Sequence, residues 1–298
     1  MATTLHCLAY NTHLFLGTVP GKFGQEYDDE IRLNHIIAQV KNLNPDIVGF
    51  SEVWANSSKD RFISGLQSQL PYYAWDENTE KKQMGSGLLL LSRFPLSHIF
   101  TKYEKLVSWD GVSQKGFLLA TVEIEAQKLL IAHTHTQADY DGVDSCKEIR
   151  KSNILELQSG ISKAADISTP VILLGDLNII GEDKSGDRTS EYDFLCDTLK
   201  SLNMKDSYRT LNDSATSAPG YTYDAVNNKL IARFAEKDAK HKVQQRLDYI
   251  FVRGITPISV SVPNSFTFQP PDGTGTNDLS DHYPLDGKFS ILYNLAAE

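Results

Sequence analysis

Short apolar runs, each closing on a small island of polar side chains, constrain this chain more than any other feature. The islands are Tyr10-Asn11-Thr12-His13, Phe50-Ser51-Glu52-Val53-Trp54, His133-Thr134-His135-Thr136-Gln137, Gly175-Asp176-Leu177-Asn178, Arg246-Leu247-Asp248-Tyr249 and Ser280-Asp281-His282-Tyr283-Pro284. A run such as Val171-Ile172-Leu173-Leu174 has no polar face, so it reads as a strand covered on both sides. Carboxylates and imidazoles placed where buried strands end must meet partners, a cation or a ligand. The last island adds a proline that stops any helix, after a Gly/Asn/Asp-rich loop over residues 272–278.

With 298 residues and 41% hydrophobic content, the chain has enough material for a substantial core. No Pro/Gly/Ser-rich linker, composition shift or internal repeat divides it, and the islands run from residue 11 to residue 282. One domain over 1–298 is therefore expected. The formal charge of -9, the pI near 5.4 and the lack of a Lys/Arg block disfavour a nucleic-acid partner. Carboxylates that hold divalent cations still allow an acidic enzyme to take a polyanion, so the local site decides. Cys7, Cys146 and Cys196 cannot all pair and match no zinc spacing. The first residues lead into an apolar strand without the regions of a signal peptide, which points to a cytoplasmic protein or a trimmed secreted form. No window approaches the ~18 apolar residues of a spanning helix, so membrane contact is expected to be peripheral, by a monomer.

Periodicity places strands at 5–10, 47–50, 87–91, 171–174, 246–252, 258–262 and 285–291. Residues 116–125 and 128–133 read as a hairpin about a polar Ala126-Gln127 turn. Helical spacing covers 30–43 through Ile31, Ile36, Ile37, Val40 and Leu43, and 146–165 through Ile149, Ile154, Leu157 and Ile161. Helices are also expected at 59–70 and 195–202. The mixture implies an α/β fold with two sheets covered by helices.

Alternation along an extended segment puts Asp176 and Asn178 on one face, where a carboxylate and a carboxamide align a water and hold a phosphoryl oxygen. A strand-end turn explains the same pair equally well. Glu52 is a candidate ligand for a hard divalent cation, with Asn11 offering a neutral oxygen beside it. Taken singly, each also reads as an ordinary strand-end or turn residue. His133 and His135 share a strand face; His135 is expected to donate to a phosphoryl oxygen, and His133 to be a satisfied strand residue. His282 is the best general base, because imidazole titrates near neutral pH and a carboxylate fixes its tautomer. Neighbouring side chains on an extended segment diverge, so Asp248 is expected to orient His282 while Asp281 faces the metal.

The order Asn11, Glu52, His135, Asp176/Asn178, Asp248, Asp281/His282 resembles the endonuclease/exonuclease/phosphatase superfamily over nearly the whole chain. The resemblance implies an α/β fold, a four-layered α/β sandwich of the DNase I-like type with two packed mixed sheets flanked by helices, and metal-dependent phosphoester cleavage. It also implies Mg²⁺ on Glu52 and Asn11, with Mn²⁺ and Ca²⁺ as alternatives, and water activation by His282. Asp176, Asn178 and His135 would then position the nucleophile and stabilise the pentavalent transition state.

Further stretches are similar to neutral sphingomyelinases: Gly85-Ser86-Gly87 leading to Ser92-Arg93-Phe94-Pro95, Lys115-Gly116-Phe117, Thr134-His135-Thr136-Gln137-Ala138, and Gly220-Tyr221-Thr222-Tyr223-Asp224 before Asn227-Asn228. Asp110 and Lys115 resemble an Asp/Lys pair that organises the active site in that group. Lys115 is a candidate partner for the phosphate of phosphocholine, and Tyr221 or Tyr223 for its quaternary ammonium, strand packing being equally open for the tyrosines. The implied reaction is hydrolysis of sphingomyelin, or a related phospholipid, to ceramide and phosphocholine. A nuclease would need a basic groove that the sequence does not show, an inositol-phosphate phosphatase more basic residues near Asp248, and a silent binding protein would not need every polar position filled. Secreted bacterial sphingomyelinases carry a leader, often a disulfide, and a hydrophobic hairpin that meets the bilayer; this sequence shows no leader or paired cysteines. Phe266 and Phe268, or Leu14, Phe15, Leu16 and Val19, are candidates for lipid contact or for core packing.

Overall fold

The computed structural model describes residues 2–15, 28–76, 85–125, 127–271, 273 and 275–292. Leu16, Val19, Ala126 and Asp272, each given a place above, lie outside them. One sheet holds β1 (Ala2–Leu14), β2 (Ile47–Val53), β3 (Tyr72–Trp75), β4 (Leu89–Ser92), β13 (Thr256–Ser261) and β16 (Leu285–Leu292), in the order β13-β16-β1-β2-β4-β3. The other holds β5 (Leu96–Lys102), β6 (Gly116–Ile124), β7 (Gln127–His135), β8 (Val171–Asp176), β9 (Lys205–Asp206) and β12 (Asp248–Arg253), in the order β5-β6-β7-β8-β12-β9. Two short ribbons complete the strands: β10 (Tyr223–Asp224) with β11 (Gln244–Gln245), and β14 (Thr267–Phe268) with β15 (Asn277–Asp278).

Strand alternation builds the layers. Leu5, Cys7 and Ala9 point between the sheets, where they join Ile47, Leu118, Ala120, Ile131, Ile172, Leu174, Ile250 and Phe289 in one buried core. Leu8 and Tyr10 point the other way, onto Leu33, Ile36 and Val40 of helix Asp29–Leu43 and Phe62 and Leu66 of helix Asn56–Leu66. The second sheet turns Leu130, Leu173 and Phe251 outward onto helices Cys146–Ala164 and Ser190–Lys200. Two sheets packed face to face, each with helices on its outer surface, make four layers.

Sheet direction gathers the islands at one end. β1 and β2 run parallel, as do β7 and β8, so Asn11, Glu52, His135 and Asp176 all come near strand C-termini on the same edge of the sandwich. β12 is antiparallel to β8 and places Asp248 opposite Asp176. β16 is antiparallel to β1, so the segment that leads into it, with Asp281 and His282, arrives at that edge too. Gly49 permits close approach of the sheets: a Cβ there would lie 2.1 Å from Leu174 Cδ1 and 2.9 Å from His133 Nδ1. His133 fills that gap, with Nε2 2.9 Å from the Phe50 carbonyl and Nδ1 3.1 Å from that of Leu174. It is the satisfied strand residue expected from the sequence.

Several boundaries move. The helix expected at 59–70 is Asn56–Leu66, and the one expected at 195–202 starts at Ser190, where Thr189 Oγ1 caps it by accepting the Tyr192 N–H at 3.1 Å. Strands β3 and β5 were not expected. Phe266, Phe268 and Leu14 are core residues in contact with the helix-covered face of the first sheet, and Phe15 is half-buried. Among the described residues no helix is long and apolar enough to cross a membrane.

Candidate active site

Asn11 joins the two sheets. Its Nδ2 donates to Glu52 Oε1 at 3.1 Å and to Asp176 Oδ2 at 2.9 Å, one carboxylate from each sheet. The sequence reading had its oxygen beside Glu52. Facing two carboxylates, the amide presents its donor to both, and Oδ1 accepts the His13 N–H at 3.2 Å.

Glu52 adopts a left-handed backbone, φ +59°, which costs a side-chain-bearing residue roughly 1–2 kcal/mol. Its Oε2 is buried with no hydrogen-bond partner among the described residues. Burial alone would raise its pKa, but the adjacent His13, with His135 and Lys115 farther off, holds it well below the carboxylate range. A strained, ionised glutamate whose Oε2 faces only an imidazole at 3.5 Å among the described residues, beside Asn11, is a donor set that suits a hard divalent cation. Asp281 is linked to Glu52 through His13, whose Nδ1 lies 3.5 Å from Glu52 Oε2 and 3.4 Å from Asp281 Oδ2. Burial opposes charge on the His13 ring, yet Asp281 and Glu52 push its pKa up. The ring stacks on Phe234 with centroids 4.4 Å apart.

His282 is held by Asp248, as expected: Nδ1 lies 2.7 Å from Asp248 Oδ2. The other ring nitrogen, Nε2, is 3.9 Å from Asp176 Oδ2. Burial again disfavours the charged ring, but Asp248 and Asp281 overcome it and hold the His282 pKa well above its ordinary value. Asp176 is pushed up to about 7 by burial and by the Asp248 charge, so it shares a proton readily near neutrality. Ligand atoms of Asp176, Asp248 and His282 lie within 4.8 Å of one another, a spacing also open to a cation. The short Nδ1–Asp248 contact orients the imidazole and turns Nε2 toward Asp176.

Strand alternation fails beyond Asp176. Asn178 has φ +49°, and its backbone N–H turns back to Asp176 Oδ1 at 2.8 Å while Nδ2 donates to the Thr136 carbonyl at 3.2 Å. The two residues are neighbours through a turn rather than along a strand.

Lys115 corrects a second expectation. It is 2% exposed, and its ammonium meets Asp110 Oδ1 at 2.8 Å, His135 Nε2 at 3.0 Å and the Thr136 carbonyl at 3.1 Å. Those three partners use its three donors, leaving none for a substrate phosphate. Asp110 is fixed in turn by the Ala138 N–H at 2.7 Å and the Tyr140 hydroxyl at 3.0 Å. Burial and the Lys115 charge keep the His135 pKa well below its usual value. Neutral His135 accepts from Lys115 at Nε2, so its proton resides on Nδ1, which has no partner among the described residues. Asp176 Oδ2 is 3.5 Å from His135 Nε2.

The tyrosines divide. Tyr223 lies edge-on to the His282 ring with centroids 5.4 Å apart, but its hydroxyl is bound to Asp238 at 2.8 Å. Tyr221 is half-buried and makes no hydrogen bond or ring contact with the cluster among the described residues. His13, Thr222 and Ser280 had no assigned role. Thr222 Oγ1 accepts the Leu247 and Asp248 N–H groups, both at 3.1 Å, and Ser280 Oγ donates to the Asn11 carbonyl at 2.7 Å. His13, two residues from Asn11, had the spacing that flags a shared face.

The sequence pattern of the Endonuclease/Exonuclease/phosphatase family matches residues 8–282. The chain belongs to that family. As a member it is a metal-dependent phosphodiesterase, and its four layers are the DNase I-like α/β sandwich. It is 25% identical over 318 residues to a sphingomyelinase C of Bacillus cereus, covering 97% of this chain and 89% of that one. It is 24% identical over 314 residues to a phospholipase C of Staphylococcus aureus, covering 95% and 86%. A crystal structure of a beta toxin variant from Staphylococcus aureus with bound magnesium ions superposes with a TM-score of 0.73 at 21% identity, covering 96% of this chain and 99% of that one.

Proposed function

We propose that this single-domain family member is a Mg²⁺-dependent phosphodiesterase that hydrolyses sphingomyelin to ceramide and phosphocholine. The observation that carries the proposal is the Asp248–His282 pair facing Asp176, which Asn11 ties to Glu52 across the sheet boundary. The substrate class is supported by the sphingomyelinase and phospholipase relatives. It is also supported by an acidic chain without a basic block for a polynucleotide.

Asp248 holds the His282 proton on Nδ1, so Nε2 takes a proton from water as the hydroxyl attacks phosphorus in line. The bond from phosphorus to the ceramide oxygen breaks, that oxygen takes a proton from solvent and leaves as the alcohol, and His282 returns to solvent the proton it accepted. Asp176 and Asn178 align the water, and the unpartnered Nδ1–H of His135 is the donor available to a phosphoryl oxygen. Glu52, Asn11 and Asp281 would hold Mg²⁺, which supplies positive charge to the leaving oxygen.

The assay is phosphocholine release from sphingomyelin vesicles and nicking of plasmid DNA, each with Mg²⁺ and then with EDTA. Release without nicking, abolished by EDTA, is expected; nicking without release overturns the substrate. Lys115 acts through His135. Lys115→Met is expected to lower kcat about a hundredfold, in the range of losing one donor to the transition state. KM should stay within about twofold, because Lys115 binds uniformly to protein groups rather than to substrate. A rise in KM at constant kcat would return Lys115 to direct phosphate contact.

A further inference from the structure

Trp109 is 75% exposed and Val112 52% exposed, both in the short helical turn Ser108–Val112. An indole is seldom left in water without a partner for its apolar body. The backbone beneath it is firmly held. Val107 N–H donates to Gln137 Oε1 at 2.8 Å, Gln137 Nε2 donates to the Val107 carbonyl at 3.3 Å, and Ser113 Oγ donates to the Asp110 carbonyl at 2.8 Å. Asp110, between the two exposed residues, is 4% exposed and ion-paired with Lys115. The turn thus presents Trp109 outward while its next residue is locked into the active site.

Its place in the sandwich is fixed by strand register. Lys102, the last residue of β5, pairs with Gly116, the first of β6, and Phe117 pairs with Thr134 of β7. The connection from β5 to β6 therefore crosses the edge where β7 and β8 deliver His135 and Asp176. Ile167 and Tyr72, also exposed, sit by the opposite ends of β8 and β4. Exposed Lys102 and Lys105 precede the turn with Glu104 between them, and exposed Asp139, ion-paired with Arg150, lies between Ala138 and Tyr140, which hold Asp110. An aromatic tip preceded by two lysines at the edge that carries the catalytic cluster matches the phosphate and carbonyl layer of a bilayer.

We infer that the Ser108–Val112 turn is the bilayer-docking element of this enzyme, with Trp109 and Val112 entering the headgroup layer beside the catalytic mouth. The inference rests on the phospholipid-substrate reading above and names the surface by which that site meets its substrate. Phe266 and Phe268, in the core, are unavailable for this task.

The test separates docking from turnover. His282→Ala protein, which leaves the bilayer intact, is sedimented with sucrose-loaded vesicles of phosphatidylcholine and sphingomyelin, with and without Trp109→Ala. Trp109→Ala is expected to weaken vesicle binding about tenfold, Val112→Ser by less, and Trp109→Phe to retain most of it. In the active background, Trp109→Ala should leave hydrolysis of a monomeric short-chain sphingomyelin within about twofold of wild type, since the side chain points away from the cluster. Equal sedimentation with and without Trp109, or none by the parent, overturns the inference. So does a parallel loss of monomeric hydrolysis, which would place Trp109 in the substrate site. Sedimentation that depends on Trp109 in a protein that hydrolyses neither substrate supports docking and overturns the substrate reading alone.

Discussion

His282→Ala is expected to lose about 10²–10⁴-fold in kcat, the usual worth of a positioned general base. Phosphocholine release under saturating sphingomyelin and Mg²⁺ measures it, and a loss below tenfold would remove His282 from that role. The fold should persist, because the ring packs at the edge of the sandwich rather than in the inter-sheet core. Asp248, its second oxygen without a hydrogen-bond partner among the described residues, then remains buried without its imidazole and is expected to take up a proton. The wild type carries a pH signature that the variant loses. Folding raises the His282 pKa above its ordinary 6.5 through Asp248 and Asp281, against burial. That contribution to metal-free stability is fully present below the unfolded value and is lost as pH rises through the raised folded one. The Asp176 shift, from 3.8 to about 7, has the same sign. The difference in urea midpoint between metal-free wild type and His282→Ala should therefore shrink as pH rises from about 6.5 through the raised folded value of His282.

Glu52→Gly is expected to abolish cation binding and, without metal, to lower stability at neutral pH while leaving the protein folded. Glycine takes φ +59° freely, relieving roughly 1–2 kcal/mol of backbone strain, against about 0.5–1 kcal/mol of added chain entropy in the unfolded state. The change also removes the ionised carboxylate that His13 faces at 3.5 Å and Asn11 binds at 3.1 Å, partners that hold its pKa down and so favour the folded state. The urea midpoint without metal should therefore fall below that of wild type at neutral pH, the relieved strain offsetting part of the loss. Titration calorimetry with Mg²⁺ should show affinity lower by at least about a hundredfold, beyond the ~10–100-fold of an outer-sphere loss. Added Mg²⁺ should raise the melting temperature of wild type alone, since a ligand stabilises only the state that binds it. An undiminished Mg²⁺ response in Glu52→Gly would move the ion to the Asp176, Asp248 and His282 group.

Much of this site was legible because buried strands must end somewhere, and their ends here carry ionisable groups. Asn11, Glu52, His135, Asp176, Asp248 and His282 each stand at or just beyond such an end, so naming the strands nearly named the cluster. The choice of Asp248 over Asp281 as the partner of His282 followed from side-chain divergence along extended chain and is the contact observed. What stayed hidden depends on backbone dihedrals and on distant partners. Alternation could not anticipate φ +49° at Asn178, nor spacing reveal that Asp110, His135 and Thr136 use every donor of Lys115. The place of His13 between Glu52 and Asp281 exists only once residues 13, 52 and 281 are folded together. Strands β3 and β5 escaped because Tyr72, Tyr73 and most of residues 96–102 face solvent, leaving no buried face to signal them. Nor could composition say which apolar residues are left outside: Phe268 went in and Trp109 stayed out.

The pairing of the earliest strand with the latest has a consequence for synthesis. Ala2 is matched to Leu292 and Ala9 to Leu285, so β1 lacks one of its two neighbours until residues 285–292 have been made. A nascent chain that has exposed Asn11 and Glu52 has yet to receive Asp281 and His282, and such long-range closure is slow. Turnover therefore comes after the rest of the sandwich has been made, and a translation intermediate arrested before residue 282 would be inert.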